Sequence, residues 1–291
     1  TENINKESIQ EIVENAIENS TYMKEDLHQL IATPSSEPKL INTHEKNFQE
    51  DNTTTEEKIK LGIALEEKVK EKDSRIKNAP YNGFSEAVGE SYLLNSQGLF
   101  TYERSKRFSC YTSCLMEEGD KNSLHYHVSQ ARNFKGLEVD KCIDESYLHA
   151  KNLLHAGPIT SGNYDIIFSP ETLEELFSAF SIIYSGKSAV EKKNPFKDKL
   201  GQEVTSNMLT IRDLPHHSDA FTYNMFDSEG TPHQDLTLIK DGVLQSFYHN
   251  SASASELGGL STESNKHHPW PREALVKTCL DARIFRAFAF G

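Results

Sequence analysis

The chain is short of basic residues, of cysteine and of long apolar runs, and each shortage removes a class of function. Its 31 Lys and Arg face 44 Asp and Glu, giving a net charge of -13, so the surface as a whole repels phosphate backbones and direct nucleic-acid binding is disfavoured. No apolar stretch approaches the roughly 18 residues of a membrane span. The opening residues, Thr1-Glu2-Asn3-Ile4-Asn5-Lys6, lack the basic-then-apolar layout of a signal peptide, so a cytoplasmic location and no membrane partner are expected. Four cysteines, Cys110, Cys114, Cys142 and Cys279, contain no C-x-x-C pair. Cys110 and Cys114 lie in a strand-like stretch, about 13 Å apart and too far for a disulfide, so free buried thiols are expected. Also missing are G-x-S-x-G, a Walker-type loop and G-x-G-x-x-G. A hydrolytic triad has no sequence support.

What is present reads as two domains in 291 residues, each able to bury a core. Residues 6–20 place Ile9, Ile12, Val13, Ala16 and Ile17 at helical spacing, which predicts an amphipathic helix with a core-facing stripe. A polar connection from Ala32 to Thr55 follows. Thr53 and Glu56 form a capping-box pattern ahead of a helix running to about Asp73. Then the period changes. Short β-favouring runs at 91–94, 99–102, 108–116 and 124–131, separated by Asn95-Ser96-Gln97-Gly98 and Glu117 to Asn122, predict an antiparallel meander. Asp140 is the expected cap of a third helix, ended by Gly157-Pro158, where a domain boundary falls.

Past that boundary, Tyr164–Phe168 is the pattern of a short buried strand, and Ser169-Pro170-Glu171 begins a helix carrying Leu173, Leu176, Phe177 and Phe180. Met208–Leu214 reads as a strand ended before Pro215. Two apolar runs flank Asp241-Gly242, which predicts a type I′ hairpin with Lys240 facing Val243, Leu238 facing Gln245, Leu236 facing Phe247 and Ile239 facing Leu244. Apolar groups on both faces place this hairpin inside a layered domain. Upstream, Asp227-Ser228-Glu229-Gly230 has the residue order of a type I turn.

Several stretches together resemble one family. D-S-E-G-T-P, then L-I-K-D-G-V-L, then Ser251-Ala252-Ser253-Ala254 with Leu257-Gly258, then Ser261-Thr262-x-Ser264-Asn265, are similar in order and spacing to the C-terminal domain of the TldD/PmbA family. D-K-L-G at 198–201 and Asp213-Leu214-Pro215 add to the likeness, which covers roughly Leu61 to Asn265. The family is named for modulation of DNA gyrase and is understood as subunits of a cytoplasmic zinc metallopeptidase acting in peptide maturation. The resemblance implies an α+β fold. Residues 1–157 would form a helix-plus-antiparallel-meander central domain, the family's first domain not being visible. Residues 158–265 would form a mixed, largely antiparallel β domain with a covering helix, and 266–291 an atypical basic tail that does not complete its sheet.

In catalytic members that covering helix carries H-E-x-x-x-H, two imidazoles for one zinc and a glutamate as general base. Here the stretch 171–184 has no histidine, so the likeness is to the PmbA/TldE-type subunit. The resemblance therefore implies no cofactor in this chain, zinc in a TldD-type catalytic partner, and a non-catalytic role in a heterodimer that holds extended peptides. The alternatives are a standalone homodimeric peptide-binding or assembly protein, and a metal-dependent hydrolase using His125 and His127, which share a strand face but lack an evident third ligand. Asp227, Glu229, Gly230, Asp241 and Gly242 are the candidate interface or peptide-cleft residues.

Overall fold

The computed structural model of the chain describes residues 4–33, 46–218, 220–223 and 225–257, with the backbone of 285–289. It begins with α1 (Lys6–Thr21), closed at its start by a capping box between Asn5 and Ser8. The expected stripe does not face a core: Ile9, Ile12, Val13 and Ile17 are all exposed. Its periodicity satisfies the helix without specifying a neighbour, which is where the reading of burial from spacing fails. Next is α2 (Thr55–Lys70), whose capping box is built from Thr54 and Glu57, one residue later than the pattern Thr53/Glu56.

Four strands follow: β1 (Ile76–Asn78), β2 (Asn82–Leu94), β3 (Phe100–Glu118) and β4 (Lys121–Ala131). They form one antiparallel sheet in which β1 and β2 follow each other along one edge of β3 and β4 lies on the other. The separate runs of the sequence are parts of long strands. Polar stretches such as Arg104–Arg107 do not interrupt β3, because its long ladder with β2 supplies the pairing that local propensity does not. The expected turns are found: Gly98 N–H donates to the Asn95 carbonyl, and Gly119 takes φ 63° in the two-residue link from β3 to β4.

α3 (Val139–Leu153) begins at Glu138 without a side-chain cap, so Asp140 is a first-turn acid rather than the cap. On one face of the sheet, Phe108, Cys110, Cys114 and Met116 pack with Leu65 and Val69 of α2 and with Cys142, Ile143 and Ala150 of α3. From Phe108 to Met116 the even-numbered β3 side chains thus lie on the core side and the odd-numbered ones on the side away from the helices. Cys110, Cys114 and Cys142 are free and buried; Cys279 lies outside the described residues.

The second half contains β5 (Gly162–Ile166), α4 (Pro170–Ala179), a 3₁₀ turn at Ser181–Tyr184, α5 (Gly186–Val190), β6 (Ile211–Asp213), β7 (Leu236–Lys240), β8 (Val243–Leu244), α6 (Ser251–Leu257) and β9 (Phe285–Ala289). β5 is exposed rather than buried as the run Tyr164–Phe168 suggested. Its neighbour is β9, antiparallel in register Gly162 to Ala289. The tail contributes this strand in a ladder separate from β6–β7–β8. The β7–β8 hairpin has the predicted register, Lys240 opposite Val243 and Ile239 opposite Leu244, and Asp241 and Gly242 take φ 49° and 81°. Leu238, Ile239, Leu244 and Phe247 are buried with Tyr184, Ala189 and Ile211. Residues 201–204 flank the hairpin through Leu244 N–H to the Gln202 carbonyl and Val204 N–H to the Gly242 carbonyl.

Candidate functional site

The acidic loop closes as a type I turn, Gly230 N–H donating to the Asp227 carbonyl at 3.1 Å. The Asp227 carboxylate turns inward: Oδ1 accepts from the Glu229 N–H at 2.9 Å and the Thr231 N–H at 2.7 Å. Oδ2 is buried and accepts no hydrogen bond among the described residues. Burial pushes the Asp227 carboxyl above its ordinary pKa, against the two N–H groups, and nearby Glu229 raises it further. His233, also buried, pulls the Asp227 pKa the other way.

Glu229 has a different task. Its Oε2 accepts from the Ser251 N–H at 2.9 Å, so this carboxylate meets an orphan donor at the start of α6. Gly230, at φ 88°, sits against Leu99 and Leu93 at the tip of the β2–β3 hairpin, where a side chain would collide with Leu99. The turn is thus one contact between the two halves, held by the sheet of one and the last described helix of the other.

Asp241 and Gly242 stand elsewhere. The Asp241 N–H donates to Thr210 Oγ1 at 3.1 Å, and the Gly242 N–H donates to the Leu209 carbonyl at 2.9 Å. A Cβ on Gly242 would lie 2.6 Å from the Thr205 carbonyl oxygen. This pair serves the hairpin, and no shared hydrogen-bond partner joins it to the acidic turn among the described residues.

His125 and His127 occupy one face of β4 as predicted, but the ring beside His125 is His149 of α3, with centroids 4.6 Å apart. His149 Nε2 in turn lies 3.4 Å from Glu145 Oε2. Burial, then His149 and His127, holds the His125 pKa below its usual value. Among the described residues no three His, Cys, Asp or Glu side chains are grouped to hold a metal ion. The i,i+4 spacing of Glu145 and His149 was the available signal for this helix partner. His216 packs edge-on against Tyr223, and His267 and His268 lie outside the described residues.

One residue the motif reading passed over is Asn47. Buried within the polar connection, its Nδ2 donates to Glu103 Oε1 at 3.0 Å and to the Tyr223 carbonyl at 2.7 Å, its Oδ1 accepts from the Tyr223 N–H at 2.7 Å, and its own carbonyl accepts from the Lys106 N–H at 2.8 Å. It therefore ties β3 to the segment leading into the acidic turn. An asparagine in a loop-like stretch gives no sequence signal of this.

α4 lacks the imidazoles of the zinc motif. Its sequence PETLEELFSA offers no histidine or cysteine, Phe177 packs on the second core, and Leu176 and Phe180 are exposed. A zinc site of the H-E-x-x-x-H kind does not fit this helix.

Residues 48–154 match the model of the PmbA/TldA metallopeptidase central domain and residues 161–281 that of the PmbA/TldA metallopeptidase C-terminal domain. The chain is 27% identical over 216 residues to the metalloprotease PmbA homolog of Haemophilus influenzae (72% of this chain, 47% of the relative). It is 26% identical over 226 residues to metalloprotease PmbA of Escherichia coli O157:H7 (77% and 50%). It thus spans about half the length of these curated relatives. Its fold is that of a protein from Bacteroides thetaiotaomicron named as a modulator of DNA gyrase (TM-score 0.78, 23% identity, 91% of this chain and 61% of that one). It is likewise that of TldE from Thermococcus kodakarensis (0.76, 19%, 98% and 62%). With both family domains matched in order across the mixed α/β architecture described above, the chain belongs to the PmbA/TldD metallopeptidase family.

Proposed function

We propose that the chain acts as the non-catalytic subunit of a PmbA/TldD-type cytoplasmic zinc metallopeptidase, pairing with a motif-bearing partner and helping to hold extended peptides for proteolysis or maturation. The observation that carries this reading is the covering helix: α4 keeps the place in the chain where the catalytic subunits' motif is expected, yet offers no imidazole or thiolate. Zinc chemistry then belongs to the partner, which would polarise the scissile carbonyl and activate water. Exposed apolar side chains near this helix support a docked partner: Ile167 is 75% exposed, Phe180 53% and Ile182 42%. The acidic turn supports the reading as a shaped contact between the two domains.

Co-expression with an H-E-x-x-x-H subunit tests this. The expected outcome is co-purification in a fixed ratio, zinc recovered with the partner, and peptide cleavage by the pair that chelator abolishes. Cleavage by this chain alone, surviving chelator, would end the proposal. A homodimer that binds peptides and recruits no second subunit is the competing reading, and size exclusion with and without the partner separates the two.

A further inference from the structure

The ladder between β3 and β4 ends with Phe108 opposite Ala131. The next residues outward, Arg107 and Arg132, therefore face each other on the side of the sheet away from α2 and α3, since their neighbours Phe108 and Ala131 enter the core. Both guanidinium groups turn to the same ring: Cζ of Arg107 lies 5.8 Å and Cζ of Arg132 6.0 Å from the centroid of Phe221. Like charges at opposed strand positions repel. Neither is within ion-pair distance of a carboxylate among the described residues, although the chain carries 44 acids.

Their neighbours are treated differently. Arg104 lies 3.2 Å from Glu90, and Lys106 lies 3.0 Å from Glu86. Around Tyr223 the charges are mixed: the Lys46 ammonium lies 5.0 Å from its ring centroid, and Glu103 accepts from the Asn47 amide that clasps it. The strand residue opposite Arg107 on β2 is Ala87, too small to screen it. Phe221 is held in place because Tyr223, two residues on, is clasped by Asn47. Two planar forks on one aromatic platform, with no carboxylate in ion-pair range among the described residues, match a carboxylate, which guanidinium groups bind in two-point fashion.

We propose that Arg107, Arg132 and Phe221 form a recognition site for a peptide carboxylate, either the free C-terminus or an acidic side chain of an extended peptide. The site rests on the peptide-binding part of the function proposed above and is tested apart from the partner. The probes are three octapeptides of alternating Ala and Val, each carrying the same uncharged fluorophore on its N-terminus: one with a free C-terminal carboxylate, one amidated, and one amidated with a single internal Asp. A labelled dodecathymidylate is the fourth. Anisotropy titrations of the full chain should show at least tenfold tighter binding of one or both carboxylate-bearing peptides than of the neutral amide. Which of the two gains identifies the source of the carboxylate.

Arg107→Gln and Arg132→Gln should each cut that preference several-fold and together erase it, while the double Lys variant recovers part of it. Arg104→Gln, at a residue already paired with Glu90, should leave the preference in place. Unchanged far-UV circular dichroism and melting of each variant would show that folding is not the cause. Equal binding of the three peptides, binding of none, or tighter arginine-dependent binding of the oligonucleotide overturns the site. None of those results touches complex formation with a catalytic subunit, and a failure of co-purification leaves the carboxylate preference intact.

Discussion

Asp227 carries two jobs that pull against each other. Its Oδ1 satisfies two backbone N–H groups, while its charge is buried. Because burial raises its folded-state pKa, the protonated form is favoured by folding. The stability contribution is fully present below the unfolded pKa and is lost as pH rises through and above the ordinary carboxylate range. Asp227→Asn keeps an acceptor for both N–H groups and removes the charge. Chemical denaturation at neutral pH should find it equal to or up to about 1 kcal/mol more stable, with a weaker pH dependence between acid and neutral conditions. Asp227→Ala leaves both N–H groups unpaired and should cost about 1–3 kcal/mol. His125 has the opposite sign. Its folded pKa is lowered, so acidification charges it in a crowd of imidazoles, and stability is lost as pH falls below the unfolded histidine value. His149→Gln should reduce that loss, read as a smaller drop in melting temperature between neutral and mildly acidic buffer.

At the scale of elements, the two turns differ in how much they can yield. Gly242→Ala forces a side chain at positive φ into the backbone of Thr205 and Ser206 and should destabilise by about 1–3 kcal/mol or more in denaturant titration. Gly230→Ala meets mainly the Leu99 side chain, which can rotate, so part of its cost is relieved by repacking. By contrast Ile12→Asn on α1 should move stability by no more than about 0.5 kcal/mol, because that side chain is exposed. The I′ hairpin, the meander turns and the free thiols were legible because each depends on local backbone chemistry or on chain spacing. The stripe of α1 was misread because period fixes which residues share a face and says nothing about what lies opposite. Arg107, Arg132 and Phe221 were invisible for the same kind of reason: the arginines meet only through strand register, and the ring arrives from about 90 to 110 residues later in the chain.

In the whole molecule the family likeness did what local patterns could not, joining short motifs into an order that specifies two domains. The contacts between those domains are made by particular groups: Gly230 on Leu99, Phe221 on two arginines, and Asn47 on Tyr223. Residues 157–161 linking the halves are exposed, so a protease should cut there first. The nicked halves are expected to elute together under native conditions and to separate in denaturant. Asn47→Ala should loosen that association, seen as partial separation of the nicked halves at low denaturant.

The Asn47 clasp also has a meaning in time. Its partner Tyr223 lies 176 positions downstream, so on the ribosome the early half emerges with the Asn47 amide bonded to Glu103 and still without its two bonds to Tyr223. Until the later stretch leaves the exit tunnel, the connection around Asn47 rests on β3 alone, through Glu103 and Lys106, and a chaperone that recognises incompletely docked chain would find its purchase there.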